Sequence, residues 1–230
     1  MIKTILWDVD GTLLDFKAAE SAAIKSLFEE FSLGTCSENM LQRYSQINSS
    51  YWQRLEANEI TKPQVLVGRF QQFFGEIGVN TAIAEEFNRQ YQIRLGDTVV
   101  YRDNSIDIIK KLRGKIKQYV VTNGTIVAQK KKLRLSGLGD LMDGIFISDE
   151  IGVEKPNRAF FDAVFNTVQP ENLSEVIIVG DSLTSDIRGG NNAGILTCWY
   201  NPEQKPQPQD YRIDYVISDL HQVLTIIDTQ

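Results

Sequence analysis

Residues 2–12 read I-K-T-I-L-W-D-V-D-G-T, and this stretch decides the fold. Ile2, Ile5, Leu6 and Trp7 form a short run of strand-forming apolar residues that stops at Asp8, the pattern of a strand buried on both faces. Two carboxylates, Asp8 and Asp10, follow one residue apart, then Gly11 and Thr12. In near-extended chain, residues two apart share one side, so both acids point into the same small volume. Like charges that close repel unless a cation or a proton sits between them. Gly11 permits a backbone conformation that other residues resist, so the turn can bring carbonyls to the same point. Magnesium favours such a compact cage of hard oxygens. Taken alone, the stretch is equally an acidic strand-end turn with glycine for geometry.

The chain has 230 residues, long enough for one large domain or a core with an inserted module, and its 42% hydrophobic content can fill a substantial core. A net charge of −6 and a pI near 5.0 argue against a general nucleic-acid or anionic-membrane surface. Cys36 and Cys198 lie far apart without C-x-x-C spacing, so neither a zinc site nor a disulfide framework is indicated. The N-terminal apolar run is too short to span a membrane, and no signal-peptide pattern precedes it. The expectation is a cytoplasmic protein.

From Leu14 to Gly96 amphipathic helical segments follow one another. Lys17 to Phe31, a segment capped by Ser37, another opened by Pro63, and Ala82 to Leu95 predict a four-helix module. After Gly96 helix and strand alternate. Strands are expected at Lys117–Val121, Gly144–Ile147, Val176–Val179, Ile195–Trp199 and Tyr215–Ile217, with helices between them. One helix is expected to be opened by Pro156 and one to begin near Asp186. This predicts an α/β fold: a Rossmann-like parallel sheet core, residues 1–14 and 97–230, with an all-helical cap, residues 15–96, inserted after the first strand. Residues 203–209, rich in proline nearby, read as a plain connecting loop.

Open parallel sheets bind ligands at the carboxyl ends of their strands. Those ends carry Asp8 and Asp10, then Thr122-Asn123-Gly124, then Gly180-Asp181-Ser182, while Lys155 lies in V-E-K-P and Asp186 a little beyond Asp181. Phosphoryl transfer to a carboxylate needs a nucleophilic acid, a metal to offset repulsion between two anions, and donors on the transferring oxygens. Each residue also has a plain use: Thr122 as a helix cap, Lys155 and Asp186 as surface charges, Asp181 as a turn residue.

D-V-D-G-T at Asp8, V-V-T-N-G ending at Gly124, V-E-K-P around Lys155 and G-D-S-L-T-S-D from Gly180 to Asp186 resemble, in order and spacing, the four motifs of the haloacid dehalogenase-like phosphohydrolase superfamily. The cap residues Asn48, Trp52, Gly68, Arg69 and Phe70, with I-S-D-E-I-G-V-E-K-P-N from Ile147 to Asn157, resemble its pyrimidine 5′-nucleotidase branch. The resemblance implies that Asp8 attacks phosphorus to form an aspartyl-phosphate and that Asp10 is the general acid and base. It implies Mg2+ held by Asp8, the backbone carbonyl of Asp10 and Asp181, with Asp186 acting through water or hydrogen bonds to those ligands. Thr122 and the Asn123 amide would bind phosphate oxygens, and Lys155 would steady nucleophile and phosphoryl group. Asn48, Trp52 and Arg69 are the specificity candidates, Trp52 as a platform on which a base stacks. The implied partner is a small phosphate monoester, with neither nucleic acid polymer nor membrane; oligomeric state stays open.

Other readings compete. Sugar-phosphate or 2-phosphoglycolate hydrolysis and phosphomutase activity share the same motifs. A phosphoaspartate switch resembling a receiver domain would draw its paired acids and its phosphorylated aspartate from different strands, and an inactive binding module would not need every catalytic position filled. His221 is expected to be structural or exposed, and Lys130, Lys131 and Lys132 to form a solvated helix face.

Overall fold

A computed structural model describes residues 1–228. The first strand, β1 (Thr4–Trp7), is buried at all four positions. The chain continues through α1 (Phe16–Glu30), α2 (Glu38–Glu56), α3 (Lys62–Ile77), α4 (Ala84–Leu95), α5 (Ser105–Leu112), β2 (Lys117–Thr122), α6 (Ile126–Leu135), β3 (Gly144–Ile147) and α7 (Ser148–Ile151). It closes with α8 (Arg158–Val168), β4 (Val176–Gly180), α9 (Arg188–Ala193), β5 (Leu196–Tyr200), β6 (Tyr215–Ile217) and α10 (Gln222–Asp228).

The strands form one parallel sheet in the order β3-β2-β1-β4-β5-β6. Alternate residues of β1 feed opposite faces: Ile5 and Trp7 pack with Val120, Val179 and Ile109, while Leu6 packs with Val121, Ile178, Phe160 and Phe161. That period of two is why the strand reads as an unbroken apolar run. The order of connection reverses at β1, which makes its carboxyl end the crevice where open sheets take ligands. Register levels the strand ends there: Trp7 pairs with Val120 on one side and Val179 on the other, and the Asp8 amide donates to the Val179 carbonyl at 3.0 Å.

Helices α1–α4 form the inserted cap, with a core of their own. Tyr44 stacks on Phe70 at 5.0 Å between centroids, and Phe70 and Phe74 each approach Phe87 at 5.0 Å. Local chemistry sets the helix ends. The Ser37 hydroxyl accepts from the Met40 amide, and Gln64 Oε1 accepts from the Thr61 amide at 2.8 Å. Gly78, at φ 74°, ends α3 in the left-handed region that glycine adopts without penalty.

Four details depart from the sequence reading. Pro156 does not open α8; the Asn157 side chain caps it by accepting from the Ala159 amide, leaving Pro156 in the preceding turn. Near Asp186 the chain makes a π-type turn, Leu183–Ile187, before α9, because the Asp186 carboxylate is drawn inward to Lys155 and the Ser182 amide. The expected strand Ile195–Trp199 is shifted by one residue, and the short α7 was not foreseen. Among the described residues no helix is long and apolar enough to cross a membrane.

Candidate active site

Asp8 leaves β1 with its carboxylate buried. Oδ1 accepts from Lys155 Nζ at 2.9 Å and Oδ2 from the Thr12 hydroxyl at 3.1 Å. Lys155 also donates to Asp186 Oδ1 at 2.6 Å and to the Val121 carbonyl at 2.8 Å, so all three ammonium protons have an acceptor. Its loop is fixed by Asn123, whose side-chain amide pairs with the Lys155 backbone in both directions at 2.9 Å. The Asn123 side chain is thus spent on locking one motif to another, a use the sequence did not reveal. Trp199 Nε1 donates to the Asp181 carbonyl at 3.0 Å, and the Asp181 amide donates to Thr12 Oγ1 at 3.1 Å. Two glycines make room for the acids. A Cβ on Gly11, at φ +97°, would lie 2.5 Å from Asp181 Oδ2, and one on Gly180 would run into the Asp186 carboxylate.

Oxygens of Asp8, Asp181 and Asp186 lie within 4.8 Å of one another. Burial, then the neighbouring Asp186, pushes the Asp181 carboxyl up to about 7. Burial also raises Asp8 well above the carboxylate range, with Lys155 pulling it down and Asp186 and Asp181 pushing it up. Burial works against the Lys155 ammonium, but Asp186 and Asp8 more than offset it and hold its pKa above the usual lysine value. Three acids against one ammonium leave an excess of negative charge, with Asp8 and Asp186 buried and Asp181 open to the cavity.

Asp10 points elsewhere. Its Oδ1 is ion-paired with Lys132 and its Oδ2 accepts from Gln129 Nε2 at 2.6 Å. This corrects the reading of Lys130–Lys132 as a solvated face. Lys130 and Lys131 pair at the surface with Glu150 and Asp97, whereas the Lys132 side chain is 1% exposed. The helix was expected, but α6 turns Gln129 and Lys132 towards the turn after β1 that carries Asp10, which sequence alone cannot show. His221 is exposed beside Asp219.

These groups open on a cavity of about 610 Å³ between sheet and cap, lined by Asp8, Asp10, Asn123, Asp181 and Asp186 from below and by Asn48, Trp52 and Arg69 from above. Thr122 is fully buried at the end of β2 and does not line it; its hydroxyl lies 3.5 Å from the Asn123 carbonyl. Arg69 is clamped between the Phe70 and Tyr91 rings, each 5.1 Å away, and donates to Asn48 at 2.7 Å and Asn88 at 3.1 Å. Asn48 in turn donates to Glu20 at 2.9 Å. Trp52 is half-buried at the cavity wall. The loop read as a plain connector also reaches the site: Pro202, Glu203 and Lys205 line the cavity, and Asn201 pins the loop through the Lys205 backbone at 2.9 Å.

Glu56, the last residue of α2, faces the same cavity, and burial pushes its carboxyl from 4.5 up to about 7. The folded chain therefore holds this proton more tightly than the unfolded chain, and stability falls as pH rises from 4.5 through 7. Glu56→Gln is expected to melt above the wild type at pH 8 in chelator, with the gap closing by pH 4.5. The same gap at both pH values would contradict the shift.

A parallel sheet with acids at its central strand end and a helical cap above them defines an α/β protein with a capped acidic site. Residues 2–194 match the haloacid dehalogenase-like hydrolase family, and the chain belongs to it. It is 35% identical to the HAD-hydrolase YfnB of Bacillus subtilis (strain 168), over 99% of this chain and 96% of that one. A crystal structure of YfnB bound to magnesium, described as revealing interdomain movement, superposes with a TM-score of 0.92 at 34% identity over 99% of both chains. The chain is also 30% identical to the pyrimidine 5′-nucleotidase YjjG of Escherichia coli (strain K12), over 95% of each chain. It is 30% identical to the pyrimidine 5′-nucleotidase PynA of Streptococcus pneumoniae (strain ATCC BAA-255 / R6), over 98% of this chain and 95% of that one.

Proposed function

We propose that the protein hydrolyses phosphate monoesters with Asp8 as nucleophile and magnesium as cofactor, and that its substrates are nucleoside 5′-monophosphates with pyrimidine bases. The observation that carries this reading is the meeting of the Asp8, Asp181 and Asp186 oxygens, with Lys155 on Asp8, on one wall of a cavity whose other wall is cap. The similarity to two pyrimidine 5′-nucleotidases supports the substrate class. The donors are hard oxygens with an excess of negative charge; burial first, and then the neighbouring acids, raises the Asp8 and Asp181 carboxyls, and a divalent cation would favour their ionised forms. Asp8, Asp181 and the backbone carbonyl of Asp10 would hold magnesium, with Asp186 beside them. Once bound, it would offset the repulsion between carboxylate and phosphate.

Asp8 attacks phosphorus while Lys155 balances its charge, and the bond from phosphorus to the leaving oxygen breaks. Asp10 gives that oxygen its proton. Water then attacks the aspartyl-phosphate, Asp10 takes a proton from it, and phosphate leaves with Asp8 restored. The Asn123 backbone amide holds a phosphate oxygen, while Thr122, expected to do the same, is buried beneath the cavity and supports the turn instead. Residues 15–96 act as the cap over a core of residues 1–14 and 97–230, excluding water when closed. Asn48 and Arg69 shape the cap wall, and Trp52 carries the base.

The test is phosphate release from pyrimidine and purine 5′-monophosphates, sugar phosphates and 2-phosphoglycolate, with magnesium and with chelator. Magnesium-dependent release favouring UMP, dUMP or dTMP is expected, with Trp52→Ala raising KM for the nucleotide about tenfold, the loss of one stacking contact. Preference for sugar phosphates would overturn the substrate assignment. No release from any ester would overturn the reaction.

A further inference from the structure

Lysine 132 is a buried cation that the four motifs leave without a task. Its side chain is 1% exposed and its ammonium meets the Asp10 carboxylate, with the Phe16 ring 5.7 Å from the nitrogen on the cap side. A buried charge is costly unless paired, so the position is occupied for what the pair does rather than for solubility. Gln129 lies one helical turn earlier on α6, which puts both side chains on one face, above Asp10. Gln129 is also buried, and its Nε2 takes the other oxygen of the same carboxylate.

A second observation comes from the phosphate-binding turn. A Cβ on Gly124 would lie 2.7 Å from Gln129 Nε2 and 3.1 Å from its Cγ, so the glycine of that motif leaves the space through which Gln129 reaches Asp10. Donors on both oxygens fix the carboxylate's rotamer and plane together. A carboxylate offers about four acceptor positions, so one donor on each oxygen still leaves a face for the substrate's leaving oxygen.

We infer that Lys132 and Gln129 are positioning residues for Asp10, holding its carboxyl group in the orientation that delivers a proton to the leaving oxygen. The inference rests on the proposed reaction through Asp8. In the step concerned, an Asp8 oxygen bonds to phosphorus, the phosphorus–oxygen ester bond breaks, and its electron pair takes the proton from Asp10. Misplacing a general acid matters where the leaving oxygen is basic and much less where it departs as a stable anion; such catalysis contributes about 10²–10⁴-fold.

The experiment compares the release of uridine from UMP with that of 4-nitrophenolate from 4-nitrophenyl phosphate, in single turnovers with excess magnesium-loaded enzyme. Wild type is compared with Lys132→Met and Gln129→Met, which keep side-chain length and remove the donor. Uridine release is expected to slow about 100-fold in Lys132→Met and about tenfold in Gln129→Met, with 4-nitrophenolate release affected at least tenfold less than uridine release in Lys132→Met. If Lys132→Met does not fold, the same selectivity in Gln129→Met carries the inference. Equal slowing of both esters, or no slowing of either, would overturn it and leave the Asp8 reaction standing. A wild type that releases neither leaving group would overturn that reaction, and the inference with it.

Discussion

Asp8→Asn is expected to lower turnover by at least about 10⁴-fold, since an amide cannot form the acyl phosphate through which the reaction is proposed to run. The fold should survive the change. Asn can still accept from Lys155 through Oδ1, at the position where Asp8 accepts at 2.9 Å. The substitution also removes one of three mutually repelling carboxylates from a cluster in which Asp8 and Asp181 are both raised above the ordinary range. In chelator the variant is therefore expected to melt no lower than the wild type, and magnesium should stabilise it less. Steady-state phosphate release and thermal melts with and without magnesium check both halves. Turnover near the wild-type rate would remove Asp8 as nucleophile, and a large loss of melting temperature would contradict the charge argument.

Lys155→Met has the largest expected effect on stability. The ammonium is fully buried and is shared by Asp8, Asp186 and the Val121 carbonyl. Removing it leaves two buried acids without their cation, a loss of about 3–5 kcal/mol for breaking a buried pair from one side. The acids would respond by taking up a proton, so the deficit should shrink as the pH is lowered, and added magnesium should recover part of it by supplying the missing charge. Urea unfolding at pH 8 and pH 5, each with magnesium and with chelator, reads this out. A deficit that ignores both pH and magnesium would mean that Lys155 acts by packing alone. Activity should fall with stability, because the same nitrogen balances the nucleophile.

Much of the fold was legible because local patterns have local causes. The apolar run ending at Asp8 has the period of a strand covered on both faces, and Ile5 and Trp7 do face the opposite layer from Leu6. Ser37 caps the helix it was expected to cap, and the aromatic residues of the cap lie at helical spacing and fill its core. Where the reading slipped, a long-range partner had changed a local outcome. Asp186 is drawn to Lys155 and the Ser182 amide, which turns the expected helix start into a π-type turn.

The site divides in the same way. That Asp8, Asp10, Thr122, Asn123 and Asp181 stand at strand ends follows from the sequence, since each closes a hydrophobic run and parallel strands bring such ends to one edge. Which of them share a partner does not follow. Lys132 and Asp10 are 122 residues apart, and Lys155 and Asp8 are 147 apart. No periodicity links such positions, and a lysine run looks the same whether its helix faces water or packs over the turn that carries Asp10. The sequence by itself determined the order of elements, the inserted helices and the inventory of acids and donors. The family resemblance already implied that Asp8, Asp181 and Asp186 meet. Only the tertiary structure decided that the Asp10 side chain turns to Gln129 and Lys132 of α6, because carboxylate partners are chosen by how helices pack over the sheet edge and by which charges burial forces into contact.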